Sequence, residues 1–308
     1  MTELYTPALC LDMGEHMTHK NALILACEKS GDTSLLQRAR KMEPCGRRLL
    51  YAIDGNGETR LESALFCRQR ICPVCQWRRS LKAYRIMTDA VERIGDACSY
   101  QLLTISRPNV RYEQLKNELV TLYKNASALF RLDRVKAAIK GFYRALEVTY
   151  NPDRDDYHPH FHIITAVNKS YYHSRNFIKR DDMVAFWNEV NGHDRTAAGH
   201  DLVVDWRKVR DLNHDISEVA KYCCKPFSGY AHRSDAWDIA ITQARMTNDI
   251  LAGKRLVQTG GVIREAIRAA GELRAAEQQD GDLCDDVQDD NVLIRIAYRY
   301  CDGVYVPC

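Results

Sequence analysis

The sequence has no hydrophobic run that approaches the roughly 20 residues of a membrane-spanning helix, so we do not expect a membrane protein. It also lacks a basic opening segment: the first 17 residues, MTELYTPALCLDMGEHM, contain no lysine or arginine. We therefore expect no secretory signal and a cytoplasmic location. Net charge is small as well, +3 from 44 Lys and Arg against 41 Asp and Glu, which is too weak an excess to indicate nucleic acid by itself.

Cysteine, by contrast, is abundant, and its 12 copies are not spread like the disulfide framework of a small secreted domain. Cys67, Cys72 and Cys75 have the spacing Cys-x4-Cys-x2-Cys, in which two thiolates on one tight turn can reach one tetrahedral zinc ion. Cys45 is the best candidate for a fourth ligand, because Asp54-Gly55-Asn56-Gly57 predicts a hairpin whose two ends would bring Cys45 and Cys67 together. A closed site of four cysteines is structural rather than catalytic. The alternative is a set of buried free cysteines.

Basic residues surround this cysteine segment. A rigid cationic surface of this kind suits contacts with phosphate groups. We predict DNA contacts for four of the arginines, although an ordinary solvated face is the alternative: Arg68, Arg70, Arg78 and Arg79.

A second candidate site lies in the segment His-Pro-His-Phe-His. Side chains alternate along a strand, so His158, His160 and His162 would point to the same face. If the strand before it forms a simple hairpin with a turn near residue 153 or 154, Glu147 lies opposite His160. A register slip by one residue would turn Glu147 away. Two imidazoles and one carboxylate would leave positions open on a divalent cation for Lewis-acid chemistry. His158, at the strand start, is either a supporting group or a surface residue.

The segment NHDISEVAKYCCKPF predicts a helix with Asp211 or Asn213 near its N-cap. Glu218, Tyr222 and Lys225 stand at i, i+4 and i+7, on one helical face. Nearby cations favour the phenolate form of a tyrosine, and a phenolate can act as a covalent nucleophile. A helical tyrosine on its own more often packs in a core. The interpretation of Tyr222 as a nucleophile therefore depends on the candidate metal site of the histidine strand.

HPHFHIITAV followed about 60 residues later by EVAKYCCK resembles the HUH endonucleases, in particular the initiator proteins of rolling-circle-replicating plasmids. The segment FCRQRICPVCQWRRS, with Cys45-Gly46 before it, is similar to the N-terminal zinc region of one branch of these initiators. The single tyrosine of the helix motif fits the single-tyrosine branch. The resemblance covers roughly residues 44–228.

The resemblance implies roles for residues at the matching positions. His160 and His162 would bind a catalytic Mg²⁺ or Mn²⁺, with Glu147 as third ligand, and Zn²⁺ would occupy the cysteine site. Tyr222 would attack DNA, assisted by Lys225. Glu218 would activate the water that ends a round of replication.

The same resemblance implies partners and a host. The protein would bind single-stranded and duplex origin DNA in a bacterial or archaeal cell and would work with the host helicase and polymerase. Self-association is possible.

The resemblance and the element pattern together predict an α+β fold: an antiparallel sheet with flanking helices, a small zinc module and a helical C-terminal region. We divide the chain into a helical N-terminal segment (1–43), a zinc module with its helix (44–95), the nuclease domain (96–230) and a helical C-terminal region with a short terminal strand (231–308). Within these we predict one long helix over 112–140 and helical structure over 236–278, with breaks at Gly253 and Gly260-Gly261.

Three other functions remain open at this point. A transposase of the same nuclease superfamily would share the histidine and tyrosine motifs. A zinc-stabilised DNA-binding regulator without catalysis would keep the cysteines and arginines but leave three aligned histidines unexplained. A metal-dependent hydrolase of small molecules would need no basic zinc module.

Overall fold

The computed structural model describes residues 8–192, 202–222, 235–278, 282–285, 287–288 and 291–308, with the side chains of 8–12, 221 and 222 left out. The described helices are α1 (Ala8–Lys29), α2 (Thr33–Met42), α3 (Pro73–Ile94), α4 (Tyr112–Leu129), α5 (Asp133–Ala138), α6 (Arg180–Val190), α7 (Leu212–Tyr222), α8 (Ala236–Arg245), α9 (Gly261–Ala269) and α10 (Leu273–Gln278). The strands are β1 (Arg48–Asp54), β2 (Thr59–Ala64), β3 (Cys98–Ser106), β4 (Ile139–Asn151), β5 (Asp156–Asn168), β6 (Val204–Lys208), β7 (Val257–Gly260), β8 (Val292–Cys301) and β9 (Val304–Pro307). None of these described helices is both long and apolar enough to cross a membrane.

The chain forms two compact units, each assembled from stretches that are distant in sequence. Unit 1 combines Met1–Arg79, Lys225–Asp249 and Asp282–Cys308, and unit 2 combines Ser80–Cys224 and Ile250–Gly281. Both units contain an antiparallel sheet with helices, so the predicted α+β class is confirmed.

Unit 1 is built on a four-stranded antiparallel sheet in the order β2-β1-β8-β9. The predicted hairpin at Asp54 connects β1 and β2, and the Asp54 carboxylate accepts the N–H groups of Asn56 and Glu58. The last strands of the chain form a second hairpin, and β8 pairs along the whole length of β1. The C-terminal hairpin therefore completes the sheet next to the cysteine segment, and α1 and α2 contribute to the same hydrophobic core.

Unit 2 contains a five-stranded antiparallel sheet in the order β6-β3-β5-β4-β7. The long hairpin of β4 and β5 forms its centre, and the register places Glu147 directly opposite His160, as predicted. Helix α4 packs on β5, and α7 packs on both β4 and β5. The central hairpin thus carries the histidine segment, and α7 packs against the same two strands.

Two of the predicted helical regions contain a strand of the unit 2 sheet as well as helices. The predicted helix over 112–140 ends at Leu129, and β4 already begins at Ile139. The predicted helical region 236–278 contains β7, which pairs with β4. Close backbone approach explains this pairing: a Cβ on Gly141 would lie 2.9 Å from the carbonyl oxygen of Gly260, and Gly261 has a positive φ of 56°. These glycines allow strand pairing rather than only interrupting a helix.

Candidate metal centres and active site

The four cysteines predicted from the spacing come together in unit 1. The Sγ atom of Cys45 lies 3.5 Å from that of Cys75 and 3.7 Å from that of Cys72, and the Cys67 and Cys75 sulfurs are 3.7 Å apart. Zinc–sulfur bonds of about 2.3 Å in tetrahedral geometry separate sulfurs by about 3.8 Å. The four sulfur positions therefore fit one tetrahedral metal ion.

Three pieces of backbone hold these thiols in place. Cys45 follows α2, Cys67 follows β2, and Cys72 and Cys75 lie at the start of α3. The backbone N–H of Cys67 donates to the Cys45 sulfur at 3.3 Å. The fully buried Lys20 of α1 donates to the carbonyl oxygen of Cys45 at 2.7 Å, which places a cation beside the cluster.

The ionisation of the thiols is consistent with a cation site. Hydrogen bonds from its neighbours hold the pKa of Cys67 below the usual thiol range. Burial raises the pKa of Cys72, and the contacts with Cys45 and Cys67 raise that of Cys75. Burial and the neighbouring thiols therefore disfavour the thiolate forms of Cys72 and Cys75, which a bound divalent cation would stabilise.

The second group lies on the β4–β5 hairpin of unit 2. The Glu147 Oε2 atom lies 2.9 Å from Nε2 of His160 and 3.1 Å from Nε2 of His162. Glu147 and His160 are buried, and His162 is slightly more exposed. Two imidazoles and a carboxylate thus converge, as the strand pattern predicts.

The other ring nitrogen of each histidine has a fixed partner. Nδ1 of His160 lies 3.1 Å from the carbonyl oxygen of His158, so this nitrogen must be the donor. Nδ1 of His162 contacts the hydroxyl of Thr104 at 3.2 Å. In a neutral His160 ring, Nε2 then carries a lone pair that faces the Glu147 carboxylate. Two acceptors at this distance repel unless a proton or a cation lies between them, so the group fits a metal ion.

His158 itself is not among the three converging side chains. Its ring lies 4.9 Å from the His160 ring between centroids. Burial, together with the nearby His160, lowers the pKa of His158 to about 4, so its ring is neutral at pH 7. The contact of His158 with the candidate metal site is made by its backbone carbonyl, which accepts from Nδ1 of His160.

Helix α7 is fixed at its N-terminal end by two aspartates. The Asp211 carboxylate accepts the N–H of His214, so Asp211 rather than Asn213 is the capping residue. Asp215 is buried and paired with Arg207 of β6 at 2.9 Å. Glu218 is partly buried in the middle of the helix, and Tyr222 is its last residue. The Tyr222 side chain and all of Lys225 lie outside the described part of the chain.

The four arginines predicted to contact DNA have different environments. Arg78 is 4% exposed, pairs with Asp285 at 2.8 Å and donates to the carbonyl oxygen of Leu283. Arg79 is also buried, and it donates to the carbonyl oxygen of Arg68. The prediction of DNA contacts does not fit these two residues, because their guanidinium groups connect segments of unit 1. Arg68 is exposed and Arg70 is half-buried.

The sequence reasoning missed Thr104 and Lys20. Thr104 lies directly opposite His162 in the β3–β5 register, which only the strand pairing reveals. Lys20 lies 25 residues from Cys45, on helix α1, where a buried lysine has no local signature.

The comparisons with known proteins decide the family. Residues 58–305 match the family model described as Replication protein. The chain belongs to this family. A "Protein rep" of Bacillus amyloliquefaciens is 30% identical over 286 residues, which is 85% of this chain and 81% of the relative. A "Protein rep" of Bacillus sp is 31% identical over 278 residues, or 83% of this chain and 87% of the relative.

A third relative, a "Protein rep" of Staphylococcus aureus, is 34% identical over 190 residues, or 60% of this chain and 80% of the relative. No solved structure matches the chain significantly. The resemblance to plasmid rolling-circle initiators is confirmed, and this replication protein is a plasmid replication initiator.

Proposed function

We propose that this replication protein nicks one strand of its plasmid origin and joins the 5′ end to Tyr222. The observation that supports this most directly is the convergence of Glu147, His160 and His162 on the two strands against which the helix ending at Tyr222 packs. A divalent cation held by these three residues, Mg²⁺ or Mn²⁺, would polarise the scissile phosphate as a Lewis acid.

Tyr222 is the proposed nucleophile. Its phenolate oxygen attacks the phosphorus in line, the bond between phosphorus and the 3′ oxygen breaks, and the 3′ oxygen takes up a proton. The products are a free 3′-OH and a 5′-phosphotyrosine. The ammonium group of Lys225 would favour the phenolate form. Because one ester replaces another, the step can run backwards and rejoin the strand.

Glu218 is the proposed base for ending a round. It lies one helical turn before Tyr222 on α7. Its carboxylate would take a proton from the water that attacks the scissile phosphate, so the second cleavage would leave no covalent link. Between the two cleavages, the 3′-OH would prime synthesis by the host polymerase on a strand opened by the host helicase.

The cysteine cluster has a separate proposed role. Cys45, Cys67, Cys72 and Cys75 would hold Zn²⁺ in a closed site that stabilises unit 1 and takes no part in the chemistry. Arg68 and Arg70 are proposed to contact DNA from this unit.

Covalent capture tests the proposal. The protein is incubated with Mn²⁺ and labelled single strands that tile the DNA flanking its gene, and the products are separated on a denaturing gel. We expect a labelled protein–DNA band for the wild type, none for Tyr222→Phe, and none for Glu147→Gln.

The control is Tyr84→Phe, which removes a hydroxyl from a half-buried tyrosine of α3. This variant should form the band at the wild-type rate. A band that persists in Tyr222→Phe would contradict the assignment of the nucleophile. No band with any strand would contradict the nuclease itself.

A further inference from the structure

One face of the unit 1 sheet is exposed at the end where β1 begins. Leu49, Tyr51 and Tyr298 point into the hydrophobic core. Side chains alternate along a strand, so Arg48 points away from that core. Arg299 is its direct cross-strand partner on β8, and both arginines are exposed.

Two like charges directly opposite each other destabilise a sheet. Other arginines of this sheet have carboxylate partners: Arg60 pairs with Glu58 at 3.0 Å, and Arg295 pairs with Glu62 at 2.8 Å. Among the described residues no carboxylate pairs with Arg48 or Arg299. The fold therefore maintains a pair of cations whose repulsion an external anion would relieve.

The arginine pair borders a surface groove of about 460 Å³. Its walls also include Leu50, Ser63, Ala297 and Cys308, and the α-carboxylate of Cys308 is the one acidic group among the lining residues. At the opposite end of β1, Ala52 is buried although it points to the same face as Leu50. The two arginines without a carboxylate partner thus lie at the groove end of this face.

We propose that this face, formed by β1, β2 and the C-terminal hairpin, binds the phosphate backbone of duplex DNA, with Arg48 and Arg299 each contacting a phosphate. The inference rests on the proposed action at a replication origin and adds a surface to it. Phosphate oxygens match the guanidinium groups in charge and geometry. The one aromatic side chain of the groove, Tyr298, is buried, so the groove offers no platform on which single-stranded bases could stack.

Phosphate contacts carry little sequence information, and each one adds to the salt dependence of binding. The double variant Arg48→Ala/Arg299→Ala should therefore bind a 30-base-pair duplex from the origin region about 10-fold or more weakly. The slope of log K against log salt should fall in magnitude by about 1.8, which corresponds to two lost phosphate contacts. A duplex of scrambled sequence should lose affinity by the same factor.

The matched control removes two arginines that lie outside this sheet and have carboxylate partners, in Arg111→Ala/Arg245→Ala: Arg111 pairs with Asp155 and Arg245 with Asp32. It lowers the net charge equally, so it should leave the salt slope close to that of the wild type. Arg48→Lys/Arg299→Lys should keep most of the affinity. Fluorescence anisotropy of labelled duplex over a salt series measures all four proteins, and thermal unfolding with zinc content verifies that each is folded.

Three results would overturn the inference. These are an unchanged Kd for Arg48→Ala/Arg299→Ala, an equal loss of slope in the control, or a changed oligomeric state in sedimentation with unchanged DNA affinity. The last result would assign the face to self-association. Nicking of a single-stranded substrate separates this test from the proposed function. The double variant should nick this substrate at the wild-type rate. If the wild type does not nick it, only the nuclease proposal is contradicted.

Discussion

The two candidate metal centres differ in how completely the fold surrounds them. In unit 1 four soft sulfur atoms provide a full tetrahedral set, and three of the four cysteines are completely buried. In unit 2 two imidazoles and one carboxylate provide only three ligand atoms. A full soft set suits a structural ion, whereas three hard or borderline ligands leave room for a substrate oxygen. The comparison teaches that ligand number and type separate the two roles even though both groups are buried.

Their supporting contacts differ in the same direction. The cysteine cluster is supported by Lys20, a backbone donor and three separate segments of the chain. The histidines are oriented by one hydroxyl, that of Thr104 on β3, and by one backbone carbonyl, that of His158 on β5 itself. We therefore expect changes at the first centre to affect folding, and changes at the second to affect chemistry while the fold remains.

The largest effect is expected for Cys75→Ser. Structural zinc sites contribute about 10 kcal/mol to folding, so the loss of one thiolate should lower the free energy of unfolding by at least about 5 kcal/mol and remove the bound zinc. Denaturant unfolding and zinc analysis measure both. Cys308→Ser, at an exposed position, should match the wild type. A stable, zinc-free Cys75→Ser protein would remove the contrast between the two centres.

His162→Ala should give the opposite combination. With one ligand lost, the rate of covalent capture should fall by about 1,000-fold, because the phosphate would lose most of its polarisation. The free energy of unfolding should change by less than about 1 kcal/mol, since His162 is not completely buried. His173→Ala, an exposed histidine of unit 2, is the control and should retain full activity. Unfolding of His162→Ala would show that the second centre is structural too.

Thr104→Val tests the orientation of His162 without removing a ligand. Valine has nearly the same shape but cannot contact Nδ1, so the affinity for Mn²⁺ should fall by about 10- to 100-fold. Thr104→Ser should keep the affinity. Titration followed by electron paramagnetic resonance measures Mn²⁺ binding directly, apart from activity. Equal affinities for the valine and serine variants would show that the hydroxyl does not orient the ring.

The features of the fold and of the two metal sites that the sequence could predict are those that depend on residues close together in the chain. Three of the four cysteines and the histidines followed from short spacings, whereas Cys45 and the opposition of Glu147 and His160 each followed from a predicted hairpin. The boundaries of β4 and the existence of β7 did not, because they depend on backbone contact between Gly141 and Gly260, more than a hundred residues apart. The arginines beside the cysteines were indistinguishable in sequence, and only burial separated Arg78 from the exposed Arg68.

The smallest expected effect concerns Lys20, the buried cation beside the cysteine cluster. A metal ion with four thiolates carries a net negative charge, and the Lys20 ammonium group both offsets it and donates to the carbonyl oxygens of Cys45 and Glu43. Lys20→Met keeps the length of the side chain but loses these interactions, so the free energy of unfolding should fall by about 1–2 kcal/mol. Zinc should remain bound, because all four sulfurs are intact. Lys41→Met, at an exposed position of α2, should change stability by less than about 0.5 kcal/mol. If Lys20→Met instead lost zinc as completely as Cys75→Ser, the lysine would be as necessary as a ligand, and the first centre would depend on charge compensation as much as on its four sulfurs.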